Sequence, residues 1–551
     1  VTATKHTQRA ATPAENGAGG KAPVRAGIVL ATLILVATVA NLNLSVANVA
    51  LPSIARAFDS PQTRLDLIAV GYSLGLAASV LYLGALGDRY GRKLMLVLGT
   101  ALAIPASLLA AFAPSDLVLF AARVFGGLAA GMAYPTTLAL ITALWSGPPR
   151  TRAIALWSAV GGAMAAVGPL CAGLLMSQFW WGSVFLLTLP LAVLAVALSV
   201  WLVPAHVNET TERVDHRGGV LSVVFVGALI LGINLITAPD TTVVALTLLV
   251  VAVVGAALFV LRQRRAPNPL FDLHVAARRV FWVAACAGII VFGSLMGAVF
   301  IGQQFVQNVL GWSSLEAGLA AVPAAVFMIL IAPRSAKLVE SYGARFTLLL
   351  GYVFCLLAFI TMLLLWDETS PAWHVLLGFS FMGIGVSLAG TPASRSLTGS
   401  VPVRRAGMAS ATADLQRDLG GAILQSVFGA LLTAGYAATM AASIASTGKA
   451  SQISDATQAQ LTESYAGAET IAAQYPQYAQ QITEAAREAF LHGDKWAYAA
   501  GALAVLVGAG VVFFLFPKHD AEKRLLAEYH AEDQLDGAPG GKAATPGTQT
   551  A

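Results

Sequence analysis

GALGDRYGRKLML, residues 84–96, is a polar turn whose four ionic side chains, Asp88, Arg89, Arg92 and Lys93, interrupt a chain otherwise sparing with charge. Gly84 and Gly91 permit close helix approach and unusual backbone angles, and Asp88 can cap the next helix or pair with Arg89, Arg92 or Lys93. The apolar stretches on either side, 66–86 and 93–113, each reach the length of about 20 residues that a helix needs to cross the hydrocarbon core. A short basic turn between two such stretches predicts a membrane hairpin.

The pattern extends outward in both directions. Of 551 residues, 57% are hydrophobic and 11% charged, against about a quarter charged in a soluble domain. Such a chain has too little polar surface to cover itself in water. Apolar spans fall at 27–51, 66–86, 93–113, 117–143, 153–175, 180–203, 219–238, 242–261, 280–305, 315–338, 346–366, 373–395, 407–435 and 496–516, about 14 transmembrane helices on a window of about 20 residues. The fold class is therefore an all-α polytopic membrane protein. With the N-terminus inside, 26 of the 33 Lys and Arg lie in inner regions. Arg56, Arg64, Lys449, Arg487 and Lys495 lie outside, and Arg123 and Arg417 fall within spans. This bias places both termini in the cytoplasm.

The same composition excludes several classes. The run from Gly27 flows on without a small-residue cleavage pattern, so it reads as a first span and not as a signal peptide. The formal net charge of +5 follows the topology and implies no nucleic-acid partner. Cys171, Cys286 and Cys355 lie in apolar stretches with no C-x-x-C spacing, so neither a disulfide framework nor a metal site is expected. There is no Walker-type loop for an ATP engine and no Ser/His/Asp constellation for an enzyme, and no cofactor is expected.

As a string, GALGDRYGRK resembles, at every position, the signature loop G-x-x-x-D-R-x-G-R-K/R of the major facilitator superfamily, in its place between spans two and three. Other landmarks resemble the 14-span drug:proton antiporter branch. LNLSVANVALP, 42–52, is similar to the first-helix L-D-x-T-[IV]-V-N-V-A-L-P, and ARVFGGLAAG, 122–131, to the fourth-helix R-x-x-Q-G-x-G-A-A, with Arg123 on its arginine. GPLCAG, 168–173, is similar to the antiporter signature G-P-x-x-G-G through Gly168, Pro169 and Gly173, and PRSAKLVESYGAR, 333–345, looks like a degenerate second signature loop.

The resemblance implies two six-helix halves flanking an extra pair. The expected organisation is a disordered cytoplasmic tail at 1–26, a first half at 27–203, and inserted helices with cytoplasmic linkers at 204–279. Five helices of the second half follow at 280–435, an extracytoplasmic helical hairpin at 436–495, the last helix at 496–516 and a disordered cytoplasmic tail at 517–551. The hairpin reads as a solvated cap, or as a lid or partner-docking element.

Departures from the family pattern point to the proton site. The first-helix Asp is Asn43 here, its Thr is Ser45, and the fourth-helix Gln is Gly126. An Asn carries no titrating proton. In GMASATADLQRDLGGA, 407–422, which resembles the thirteenth-helix G-x-A-S-x-x-x-N-T-x-R-Q-L-G-G-A, the family's Asn and Gln are Asp414 and Asp418. These lie about 10 Å and about 16 Å along the helix from Gly407. Asp414, Arg417 and Asp418 share one face, and Arg417 engaging Asp414 would leave Asp418 to exchange a proton. The alternative is a permanently ionised clasp held against Arg404 or Arg405. Arg123 has the role of charge balance or gating by resemblance, with snorkelling to the outer interface as the alternative. Asp88 and its neighbours are assigned to conformational switching. Asn43, Ser45, Asn48, Gln303, Gln304 and Gln307 are candidates to line the substrate route.

These readings converge on a secondary transporter of the bacterial inner membrane. A monomer in the lipid bilayer would export hydrophobic or amphipathic small molecules in exchange for protons by alternating access. Export or flipping of a lipid or cell-envelope metabolite is the rival transport reading, and a non-transporting scaffold or sensor using the outer hairpin is the rival of another class.

Overall fold

The computed structural model describes residues 25–145, 147–205, 214–236, 241–401, 406–446 and 453–536, and among these it contains helices and no strand. The first span is made of α1 (Ala26–Ser45) and α2 (Ala47–Phe58), interrupted at Val46. The interruption has local causes. Asn41, Asn43 and Ser45 fold their side chains back onto the carbonyls of Ala37, Val39 and Asn41, and Pro52 has no N–H to offer the preceding turn. Four long helices follow: α3 (Gln62–Tyr90), α4 (Arg92–Ala111), α5 (Asp116–Leu144) and α6 (Gly147–Met176). The short α7 (Ser183–Leu186) runs into α8 (Leu189–Leu202) to complete the first six spans.

The inserted pair is α9 (His216–Leu235) and α10 (Thr242–Arg265). It is tied at one end by the Asp215–Arg262 ion pair, 2.9 Å, and α10 turns Val243, Val250 and Val253 outward. One turn, α11 (Leu273–Ala276), leads into α12 (Arg279–Asn308), α13 (Ser314–Tyr342), α14 (Ala344–Leu365), α15 (Ala372–Gly399) and α16 (Ala406–Ser446). Then come α17 (Asp455–Glu463), α18 (Tyr465–Gln474), a 3₁₀ turn at Pro476–Tyr478, α19 (Ala479–Leu515) and α20 (His519–Asp536). Among the described residues, thirteen helices are long and apolar enough to cross a membrane. The 30-residue α6 takes the fifth place in the series, giving the 14-helix architecture.

Helices in lipid gain little from mutual hydrophobic contact and depend on close approach. At the α3–α5 crossing a Cβ on Gly75 would stand 2.2 Å from the Val124 carbonyl oxygen, and one on Gly127 would stand 2.1 Å from that of Tyr72. The second half is filled instead by rings: Phe305 stacks on Trp366 at 4.9 Å, and Trp366 meets Phe379 and Tyr498 at 5.6 Å. The two halves touch mainly along α3–α16 and α6–α13. One end of the bundle carries the 84–96 turn and is called the loop face; the other carries α17 and α18 and is called the insertion face.

Two segments differ from expectation. Helix α16 has 41 residues and α19 has 37, about 60 Å and about 55 Å of helix. The spans therefore continue far past residues 435 and 496, and the separate insertion shrinks to the stretch between them. Residues 519–536, expected within a disordered tail, form α20. Its Leu525, Leu526 and Tyr529 pack on the core, Arg278 pairs with Asp533 at 2.7 Å and lies 4.7 Å over the Tyr529 ring, and Glu522 accepts from Ser396 and the Ala344 N–H. Burial raises the Glu522 carboxyl above the usual range, opposed by these two hydrogen bonds. Polar composition hid this docking, because the apolar contacts number only a few.

Candidate functional site

At the loop face, Asp88 accepts from Arg92 at 2.8 and 3.0 Å, and Arg92 also reaches the Ala139 carbonyl of α5 at 3.5 Å. Lys93 donates to the Val200 carbonyl of α8 at 2.8 Å. The loop thus ties α3 and α4 to α5 and α8. Gly91 has φ 115°, where a side chain is strained, and Gly343 in the degenerate copy repeats a positive φ of 88°. A Cβ on Gly84 would meet nothing within 4 Å, so the close approach expected there is not made.

Gly168, Pro169 and Gly173 lie where α6 crosses from its own half to the other. A Cβ on Gly168 would stand 2.0 Å from Ser45 Oγ, and one on Gly173 would stand 2.4 Å from the Ser314 carbonyl oxygen of α13. Gly318 of α13 is equally tight against the Pro169 carbonyl, 2.5 Å. The motif is a backbone-to-backbone joint between halves.

Arg123 is 2% exposed, so it does not snorkel. Its guanidinium donates to the carbonyls of Asn43, 2.5 Å, and Ile68, 3.4 Å, and lies 5.0 Å from the Tyr72 ring. One terminal nitrogen has no hydrogen-bond partner. Arg123 lines a small crevice together with Asn43, Tyr72, Ser107, Gly126 and Phe185. The Asn43 amide is occupied, donating to Val39 and accepting from Thr188 at 3.2 Å. Ser45 and Asn48 are also buried, and the Asn48 side-chain oxygen lacks a partner.

The α16 cluster faces the other half. Arg417 donates to the Tyr134 hydroxyl of α5 at 2.6 Å and lies 4.5 Å over its ring. Its Nε pairs with Asp418 at 3.4 Å, and not with Asp414 as the helix spacing suggested. Asp414 and Asp418 are 5% and 2% exposed, and each keeps one carboxyl oxygen without a partner. Arg404 and Arg405, the alternative clasp partners, lie outside the described residues.

Nearer the insertion face the glutamines of α12 act as joints. Gln303 donates to the Ala317 carbonyl at 2.8 Å, Gln304 accepts from Gln62 of α3 at 3.1 Å, and Gln307 donates to the Val49 carbonyl of α2 at 3.2 Å. Gln304 and Gln307 therefore bridge the halves. Beside them lies a group that sequence reading missed: Asp66 of α3, 2% exposed, accepts from Gln62 at 2.9 Å and from Thr433 of α16 at 3.1 Å. It is the first residue of the apolar span 66–86 and, at that edge, was assigned no role. The i, i+4 pair Gln62–Asp66 was the available signal. Asp494 of α19 was missed for the same reason; it is fully buried, with neither carboxyl oxygen partnered.

The sequence profile of the Major Facilitator Superfamily matches residues 33–425. The chain belongs to this superfamily of membrane transporters, and it is not an enzyme. The facilitator is 34% identical over 382 residues to the multidrug resistance protein Stp of Mycobacterium tuberculosis strain CDC 1551, covering 69% of this chain and 70% of that protein. It is 31% identical to the multidrug efflux pump LfrA of Mycolicibacterium smegmatis, covering 90% and 97% of the two chains. Among solved structures, a bacterial homologue of the human lysosomal transporter Spinster, inward-facing and unoccupied, superposes with a TM-score of 0.60 at 15% identity, covering 91% and 98%. That likeness concerns the fold. The facilitator's buried ionic groups thus sit in a multi-pass transporter, at and beside the joint between its halves.

Proposed function

We propose that this facilitator exports hydrophobic or amphipathic small molecules across the bacterial cytoplasmic membrane in exchange for protons, acting as a monomer by alternating access. Both termini are then cytoplasmic, as the Lys and Arg distribution favours, and the insertion face is extracytoplasmic. The observation that carries the reading is the Asp414, Arg417 and Asp418 cluster. Its two carboxyls are buried in α16, its half-buried Arg417 reaches across to Tyr134 of the opposite half, and it belongs to a chain that has Asn43 where the resembled first-span pattern has an acid. Ionisable groups at membrane depth are costly and are retained for function.

Protonation of Asp418 cancels its charge and frees Arg417 from it, so that Arg417 is held by Tyr134 of α5 alone and can be reoriented. A substrate competing for the same groups has the opposite protonation preference, and this exchange is the coupling. The relatives' names, a multidrug resistance protein and a multidrug efflux pump, support a drug as cargo. The bonds from Gln62 to Gln304 and from Gln307 to Val49 hold the insertion face shut and must break for release there.

Drug accumulation in inverted vesicles tests the proposal. Uptake should collapse with the proton gradient and in Asp418→Asn, with the variant remaining folded. Uptake that persists without the gradient refutes proton antiport, and undiminished proton-driven uptake in Asp418→Asn refutes the site.

A further inference from the structure

The carboxyl of Asp66 is buried in the joint between the halves and meets neutral groups. Helix α3 offers the Gln62 amide, α16 offers the Thr433 hydroxyl and the bare backbone of Gly429, and α12 reaches the site through Gln304 on Gln62. A Cβ on Gly429 would stand 2.6 Å from the Asp66 carboxyl carbon, so the acid is pressed against the α16 backbone. Charged groups on the packed elements are engaged elsewhere. On α2, Arg56 pairs with Glu469 of α18 at 2.8 Å and Asp59 accepts from Gln460. On α5, Asp116 takes Arg64 and Ser60, and Arg123 takes two carbonyls. The ionic groups of α16 begin at Asp418, fifteen residues before Thr433, about 22 Å along the helix. Those of α4, α9 and α12, Arg92, Lys93, His216, Arg217 and Arg279, lie at the loop-face ends.

The Thr433 hydroxyl can serve either protonation state of Asp66. Its oxygen lies 2.9 Å from the Gly429 carbonyl and 3.1 Å from Asp66 Oδ2, and it has one hydrogen to give. When that hydrogen goes to the carbonyl, the contact with Asp66 is a hydrogen bond only if Asp66 carries a proton and donates it. A protonated Asp66 gives both oxygens of the Asp66–Thr433 contact a hydrogen bond, whereas an ionised one is a buried charge without a cation.

We propose that Asp66 is a second proton-binding site of this transporter, a latch that takes up one proton when the insertion face closes and returns it to the same side when that face opens. It moves no net proton across the membrane. It makes the gate sensitive to pH on that side, apart from the coupling cluster on α16. The inference rests on the alternating-access reading above, but its test does not rest on antiport.

The test uses the full chain in lipid nanodiscs, without drug or gradient, with Cys171, Cys286 and Cys355 replaced by Ser. Spin labels at Ala57→Cys and Glu368→Cys report the distance across the insertion face by electron–electron resonance from pH 5 to pH 9. One linked proton raises the closed-to-open ratio by up to about tenfold per unit fall in pH. Asp66→Asn, which keeps the hydrogen bonds but cannot titrate, should lower that slope by up to one proton and favour the closed distance at high pH. Thr433→Val, which strands the Asp66 proton, should shift the distribution toward open at low pH. Wild-type slope in folded Asp66→Asn, or an unchanged distribution in Thr433→Val, overturns the latch. Neither outcome bears on whether drug uptake in vesicles needs a proton gradient, so the two readings fail separately.

Discussion

Arg417→Met probes the cluster most directly. The side chain donates to Tyr134 at 2.6 Å, lies over that ring at 4.5 Å, and pairs with Asp418, whose own side chain is fully buried. Removing one partner of a buried pair strands the other charge, at a cost of about 3–5 kcal/mol. That figure already contains the Tyr134 bond, about 1.5–3 kcal/mol for a charge-assisted contact. In Arg417→Met/Asp418→Asn the Asp418 carboxylate is no longer stranded, and the loss should fall to about 1–3 kcal/mol. With Asp418→Asn alone near neutral in stability, since its amide oxygen still accepts from Arg417, the two single losses less the double give a coupling energy of about 2 kcal/mol. The assay is unfolding of the purified protein by SDS in mixed micelles, read by tryptophan fluorescence, for wild type, both single variants and the double variant. Additivity to within about 0.5 kcal/mol would refute the pairing.

Other consequences follow from single positions. Gly91→Ala forces a side chain onto φ 115° and should cost about 1–3 kcal/mol in the same titration, while Gly84→Ala, with nothing within 4 Å of its Cβ, should leave the midpoint unchanged. Gly173→Val places a side chain against the Ser314 carbonyl; overpacking of about 1–3 kcal/mol falls on whichever state pairs α6 with α13, and transport should drop at least fivefold in a protein that still folds. Because the Glu522 carboxyl is raised in the docked state, its stabilisation of docked α20 is full below the ordinary carboxyl range and is lost as pH rises through the raised value. Intrinsic-rate-corrected amide exchange of α20 should quicken over that window, and Glu522→Gln should flatten the response.

Architecture was legible because its signals are local. About 20 apolar residues span a bilayer wherever they occur, and the 84–96 string carries its turn, its Gly91 backbone angle and its Asp88–Arg92 pair within a few residues. The family followed from the same strings. Helix spacing also put Asp414, Arg417 and Asp418 on one face, but it favoured the wrong pairing, because Tyr134 of another helix fixes where the guanidinium goes.

What only the tertiary structure decided is set by contacts hundreds of residues apart. Asp66, the first residue of a span, carried no signal of its own until Thr433, 367 positions away, and Gln304, through Gln62, closed around it. The segment 519–536 looked like a solvated tail until Arg278 and the α14 N-terminus supplied partners for its acids. The physical reason is common to both. A polar side chain near a span end is inexpensive in water and costly in a joint, and sequence does not say which surroundings it has. By itself the sequence determined a 14-helix transporter of the major facilitator superfamily; the packing of its halves decided which carboxyls are buried and against what.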